Sequence, residues 1–221
     1  TGSRPRIPAN IAVDESTIVT SDGIKNFESF PKSMVVLGAG VIGCEFATIF
    51  SAFGQTKVFL IDKADRILPF EDADVAEIAT ANLQKQGAVV HHGASLKRME
   101  IKNGEVEYEL EYNDGRLEVF QVEKALISVG RVPNYENLWD ENVDIKLNSR
   151  GIEDIDTQTT VPNIYAVGDI TADIALVNVG ELEGRYAVER IFGQPARKLV
   201  YENISTIMFL NPEVAGVGLN E

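Results

Sequence analysis

The chain has 221 residues, with 34 acidic and 20 basic side chains and a formal net charge of −14. That balance argues against nucleic acid or an anionic membrane surface as a partner, and no apolar run reaches the roughly 18 residues a transmembrane helix needs. A hydrophobic content of 44% is enough for a real core, and the single cysteine rules out an internal disulfide and fits a reducing compartment, with cytoplasm as the default.

Residues 1–31 read as irregular, with prolines at Pro5, Pro8 and Pro31. The next stretch is the most informative. Apolar residues Met34–Leu37 run into Gly38-x-Gly40-x-x-Gly43, helical spacing continues to about Phe53, and a second apolar run, Val58–Ile61, ends at Asp62. Strand, glycine turn, helix, strand and acid in this order form a dinucleotide fingerprint in its required context. Gly38 permits the tight turn, Gly40 lets a pyrophosphate approach the backbone, and Gly43 lets the helix lie close on the strand. The helix start at Val41, Ile42 and Gly43 offers unpaired N–H groups and a positive dipole end. Asp62 is placed to accept both hydroxyls of an adenosine ribose and to repel a 2′-phosphate, which favours NAD over NADP. Lys63 and Arg66 read as solvated loop charges that could soften this preference.

Further along, Ala73–Gln86 reads as an amphipathic helix stopping at Gly87, and Ala88–Val90 as a short strand. His91 and His92 follow on the same strand, so their side chains face opposite sides and cannot form a metal pair; both read as strand-end residues without an acid–base partner. Three alternating runs, Leu96–Ile101, Val106–Tyr112 and Leu117–Val122, are separated by Asn103-Gly104 and Asn113-Asp114-Gly115, the pattern of an antiparallel meander. Ala125–Val129 reads as a buried strand ending at Gly130. After a polar segment, Asn163–Val167 reads as a strand running into Gly168-Asp169, and Ala175–Phe192 as a long helix stopping at Gly193. Beyond Pro195 the chain turns strand-like again, over Ile204–Leu210 and Val214–Val217. Cys44, on apolar neighbours inside the fingerprint helix, reads as a small core residue.

Five motifs in order resemble those of the flavin-dependent pyridine nucleotide–disulfide oxidoreductases, above all the dihydrolipoamide dehydrogenase branch. Thr1-Gly-Ser-Arg-Pro5 resembles the segment leaving the flavin domain, Gly38–Ala47 the NAD fingerprint, and Ile127–Asn134 the return from the NAD domain. Val161–Asp169 resembles the second flavin motif and Asn211–Glu221 the opening of the interface domain. The resemblance implies an α/β fold: a Rossmann-like NAD(P)-binding domain with a parallel sheet and an antiparallel β-meander over residues 33–148. It adds pieces of a split FAD-binding domain at 1–32 and 149–198, and the start of an α+β interface domain at 199–221, through which relatives form a homodimer.

It also implies roles. Gly2 and Asp169 would contact FAD, Asp169 at a ribityl hydroxyl, while the helix beginning near Leu176 and Val177 would aim its amides at the pyrimidine edge of the flavin. Glu45 matches the glutamate beside nicotinamide and flavin, Val41 the position that gates the nicotinamide pocket, and Gly130 with Arg131 the wall of the nucleotide cleft or the domain crossover. The implied chemistry passes hydride between NAD and FAD and exchanges electrons with a small dithiol or disulfide through a CxxxxC pair. Neither that pair, nor the histidine–glutamate acid–base pair, nor a first GxGxxG for FAD is present. The expectation is therefore the central part of a longer enzyme, inactive alone. Leu176-Val-Asn-Val179 stands where relatives often carry Leu-Ala-His-Lys, which keeps a soluble transhydrogenase or another NAD-linked flavoprotein reductase open. A non-catalytic nucleotide-binding module is the reading from a different class.

Overall fold

The computed structural model describes residues 1–171, 174–193 and 198–219; Pro195 and the end of the last motif, Asn220 and Glu221, lie outside them. In chain order the strands and helices are β1 (Ser3–Pro5), β2 (Ile18–Thr20), β3 (Ser33–Leu37), α1 (Val41–Ala52), β4 (Lys57–Ile61), α2 (Ala73–Lys85), β5 (Val89–His91), β6 (Ala94–Lys102), β7 (Glu105–Tyr112), β8 (Leu117–Val122), β9 (Lys124–Ile127), β10 (Arg131–Pro133), β11 (Asp154–Ile155), β12 (Gln158–Thr159), α3 (Val177–Ile191), β13 (Thr206–Met208) and β14 (Val214–Gly216). The chain divides into two compact units, the larger made of Pro5–Gly130 with Ser205–Glu221 and the smaller of Thr1–Arg4 with Arg131–Ile204.

In the larger unit a five-stranded sheet runs β2-β9-β3-β4-β5 with every pair parallel. Side chains alternate across it, as the two-residue strand period requires. Met34, Val36, Leu60 and Leu126 face a core that also holds Ala47 and Phe50 of α1 and Ala79 and Leu83 of α2. Val35, Ile61, Ala125 and Ile127 face the other way, onto Val106, Tyr108, Leu110 and Val122 of the meander β6-β7-β8. Burial on both faces explains why these strands read as continuous apolar runs. The meander is the crossover that returns the chain from β5 to β9. The hairpin β13-β14 adds Met208 and Leu210 to the helix-side core. This is the expected α/β architecture, a Rossmann-like parallel sheet with an antiparallel meander.

The expectation that residues 1–31 are irregular needs correction. Ile18–Thr20 is fully buried and forms the edge strand, paired with Ala125–Ile127. It is held from its N-terminal side by Asp14, whose carboxylate accepts N–H groups of Ser16, Thr17 and Ile18 at 3.0, 2.7 and 2.9 Å. Although burial pushes the Asp14 carboxyl upward, these amides hold it well below the usual carboxylate range.

In the smaller unit β1 pairs with β10 and β11 with β12, and a small core gathers Ile152, Ala166 and Ile170 with Tyr135, Trp139 and Ile145. The strand expected over Asn163–Val167 does not form. Tyr165 makes a single bridge to Gln158, while Asn163 takes a φ of +73° and Ile164 N–H closes a turn on Val161 O. Pro162 lacks a donor, and a left-handed residue after it ends an extended run. The long helix forms as expected, with Leu176 as its N-cap.

Candidate functional site

The glycine turn between β3 and α1 shows three glycines under three different constraints. Gly38 has φ +102°, and a Cβ there would lie 2.5 Å from Ser128 O; at Gly43 it would lie 1.9 Å from Gly38 O. Internal packing therefore demands both. At Gly40 a Cβ would meet nothing within 4 Å, so the protein's own packing leaves that position open. Gly40 is the N-cap of α1, with no side-chain cap and no acidic residue in the first turn. Uncapped first-turn amides beside open space are what an anionic group binds.

A cleft of about 610 Å³ opens at this turn, between the C-terminal ends of β3, β4 and β9. Gly38, Gly40, Asp62 and Gly130 line it, joined by Lys63, Ser128 and Phe70 and by Ala94–Leu96 of the meander. Clefts at strand C-termini are the ligand position of open parallel sheets. The Asp62 carboxylate accepts Ala39 N–H at 2.7 Å through one oxygen and Ala64 N–H at 2.8 Å through the other. It thus ties the glycine turn to the loop after β4 and keeps two further lone-pair directions for a ligand hydroxyl. Arg66 is not a free loop charge, because its guanidinium donates to Pro69 O and Glu71 O at 3.2 and 2.9 Å. Lys63 is the cation that lines the cleft.

Val41 and Ile42 occupy the first turn of α1, half-buried and outside the cleft lining, with Val41 packed on the helix-side core. Glu45 lies one turn further, outside the lining, and its Oε1 accepts Phe209 N–H at 3.0 Å. Cys44 is fully buried, its Sγ donating to Ala39 O at 3.4 Å. Burial first, then the charges of Asp62 and Glu45, push its thiol up to about 12. His91 also requires a correction, since it has a partner: its Nδ1 sits 2.8 Å from Tyr112 Oη. Phe59 stacks on the imidazole and Phe120 meets it edge-on. His92 does not share the strand as expected: β5 ends at His91, and His92 lies exposed in the turn that follows, its Nδ1 3.2 Å from Asp65 O. Among the described residues no group of three or more His, Cys, Asp or Glu is arranged to hold a metal ion.

The smaller unit gathers a second set of the sequence-derived candidates. Asp169 accepts Ser3 O–H at 2.5 Å, and Ser3 Oγ in turn accepts Arg131 Nε–H at 2.7 Å, with Arg131 Nη2 also on Ser3 O at 2.7 Å. Gly2, with φ +70° and nothing within 4 Å of a Cβ, leads into Ser3. The N-terminus of α3 lacks a side-chain cap and an acidic first turn, and Val177 in that turn is 91% exposed. An uncapped helix start leaves first-turn amides open to an electron-rich group.

Sequence reasoning missed Ser3 and Ser128 as site residues. Ser128 Oγ donates to Leu37 O and Gly38 O at 3.0 and 2.9 Å and so fixes the glycine turn. A serine at the end of an apolar strand carries no local signal of that task. Lys63 and Arg66 could not be told apart by sequence, because only the fold of the loop after β4 turns Arg66 inward.

The chain matches the family described as "Pyridine nucleotide-disulphide oxidoreductase" over residues 1–184. It is 35% identical to a dihydrolipoyl dehydrogenase of Bacillus subtilis, over 100% of this chain and 47% of the relative. It is 34% identical to a soluble pyridine nucleotide transhydrogenase of Pseudomonas putida, with the same coverage, 100% and 47%. Among solved structures, LpdA from Mycobacterium tuberculosis superimposes with a TM-score of 0.90 at 28% identity, covering 100% of this chain and 47% of that one. The HOCl-induced flavoprotein disulfide reductase RclA from Escherichia coli gives 0.88 at 29% identity, covering 100% and 50%. The chain thus spans about half the length of the curated relatives it matches.

Proposed function

The chain belongs to the pyridine nucleotide-disulphide oxidoreductase family, and on that premise we propose that its larger unit binds NAD(H) and its smaller unit contacts FAD within a dihydrolipoamide dehydrogenase-type enzyme. In this reading a dithiol is oxidised to a disulfide and hydride reaches NAD by way of the flavin. The larger unit serves as the NAD domain, with Ile18–Thr20 in its sheet and not in a flavin segment over 1–32; the smaller unit serves as part of the flavin domain, and the chain from Ser205 on as the start of the interface through which two copies pair. The carrying observation is the contrast at the glycine turn: Gly38 and Gly43 are required by packing, whereas Gly40 faces open space at an uncapped helix start.

The residues then divide the work. First-turn amides from Val41 to Gly43 hold the pyrophosphate, and the free lone pairs of Asp62 accept ribose hydroxyls. Gly130 lets the chain pass close to the cleft at φ +104°. Gly2, Asp169 and the amides at Leu176 and Val177 serve FAD, which supplies the electron relay when bound. Glu45 is the acid assigned to the nicotinamide side. Cys44 is the single cysteine, so no redox disulfide forms within this chain and the chain alone turns over no disulfide. Lys63 beside Asp62 favours a second reading, hydride exchange between two nicotinamide nucleotides, since a cation at that edge softens the exclusion of a 2′-phosphate.

Titration of the purified chain with NADH and NADPH, followed by nicotinamide fluorescence, tests the first part. NADH binding that weakens by at least about tenfold in Gly40→Ala and outcompetes NADPH supports the reading. Equal affinity for both selects the second. An unchanged spectrum with either nucleotide overturns both. Flavin absorbance retained after FAD addition and gel filtration tests the smaller unit separately.

A further inference from the structure

Glu183 is a buried acid that neither reading employs. It sits in the middle of α3, is 2% exposed, and both of its oxygens are committed. Oε2 accepts Gly168 N–H at 2.6 Å and Oε1 accepts Tyr201 O–H at 2.8 Å. A carboxylate buried in an apolar setting is costly unless its lone pairs are taken up, and hydrogen bonds to a charged acceptor are about twice as strong as neutral ones. The backbone group it holds is the residue immediately before Asp169.

That residue is also held by other contacts. Gly168 has φ +72°, a conformation L side chains rarely adopt, and a Cβ at Gly180 of α3 would lie 3.3 Å from its Cα. Its carbonyl accepts both Thr171 N–H at 3.0 Å and Thr171 Oγ1–H at 2.9 Å. Helix and turn therefore approach closely with glycine on both sides, and the Gly168 N–H to Glu183 hydrogen bond spans that gap. Asp169 extends from the turn to Ser3, which Arg131 holds from its far side.

We propose that Glu183 is a positioning residue for the Asp169 carboxylate, clamping the Gly168–Asp169 turn onto α3 with Tyr201 as the lock on its second oxygen. The carboxylate touches no ligand itself; it fixes where the ligand-facing acid points. This rests on the reading of Asp169 as a flavin contact.

The test uses the chain with FAD added and compares Glu183→Ala, Glu183→Gln, Tyr201→Phe and Asp169→Asn. Two readouts are taken: the Gly168 amide by NMR, through its proton shift and hydrogen exchange, and FAD affinity by flavin fluorescence. In the wild type the Gly168 amide is shifted downfield and protected. Glu183→Ala abolishes that protection and weakens FAD by at least about tenfold, the equivalent of one hydrogen bond to a charged group. Glu183→Gln keeps an acceptor oxygen for Gly168 and restores both readouts to within about threefold of wild type, on the scale of a neutral hydrogen bond retained. Tyr201→Phe gives a smaller loss in the same direction. Asp169→Asn weakens FAD and leaves the Gly168 amide unchanged.

A Gly168 amide unaffected by Glu183→Ala overturns the clamp, and so does unchanged FAD affinity after the amide has been released. A Gln variant as damaged as Ala overturns it too. If wild type takes up no FAD, or Asp169→Asn binds it equally well, the flavin reading fails and the functional half of the proposal falls with it. In that case the Gly168 amide still decides whether Glu183 holds the turn.

Discussion

Substituting alanine at Gly40 and at Gly43 separates a glycine kept for a ligand from a glycine kept for packing. At Gly43 the added Cβ lies 1.9 Å from Gly38 O and 2.8 Å from Ser128 Oγ. Ordinary contact begins at 3.4 Å, so α1 has to retreat by about 1.5 Å from the turn, an overpacking that costs about 1–3 kcal/mol. The Ser128–Gly38 hydrogen bond is lost with it, adding about 1 kcal/mol. A total near 3 kcal/mol lowers the melting temperature of a protein of this size by about 6–12 °C. Gly40→Ala creates no clash. Alanine is a poorer N-cap than glycine, and the loss of about 0.5–1 kcal/mol is offset by a similar gain from a less flexible unfolded chain. Its melting temperature therefore stays within about 3 °C of wild type. The new methyl nevertheless occupies the space above the first-turn amides, and displacing a phosphate from one such hydrogen bond weakens NADH by about tenfold to a hundredfold. Calorimetry of both variants and NADH fluorescence titration of Gly40→Ala measure these quantities. Undiminished NADH binding by Gly40→Ala, or equal destabilisation by the two substitutions, would refute the assignment of the site.

Three further outcomes are expected. The folded chain does not react with a thiol-specific disulfide reagent at pH 8, because Cys44 is buried and its thiol is pushed up to about 12; one equivalent reacts after denaturation, and fast reaction in the native state would show that α1 does not shield it. Burial lowers the pKa of His91 below its ordinary 6.5, with Glu118 opposing and His92 assisting, so the unfolded state binds the proton more readily than the folded one. The contribution of His91 to stability is complete above pH 6.5 and is lost as pH falls through the lower folded value; denaturant midpoints against pH show this slope, and His91→Phe flattens it. Leu126→Ala, at a fully buried position on β9 between β2 and β3, destabilises the larger unit by about 2–5 kcal/mol, read as a shift in urea midpoint with unchanged slope.

The parts of this protein legible in the sequence are those whose cause is local. Gly38, Gly40 and Gly43 with their flanking apolar runs specify strand, turn and helix within one continuous stretch, and the Asn103-Gly104 and Asn113–Gly115 turns specify the meander. Composition alone gives one cysteine and hence no internal disulfide. The tertiary structure decided what depends on partners far along the chain. Ile18–Thr20 is too short to show a strand period and becomes one only by pairing with Ala125–Ile127. Asn163–Val167 looks extended, but the left-handed Asn163 and a turn interrupt it. His91 gains Tyr112, Glu45 gains the Phe209 amide, and Asp62 gains Ala39 and Ala64, none visible from residue type. Periodicity and turn chemistry are written in neighbouring residues, whereas hydrogen-bond partners and edge-strand pairing are settled only when the sheet closes around them.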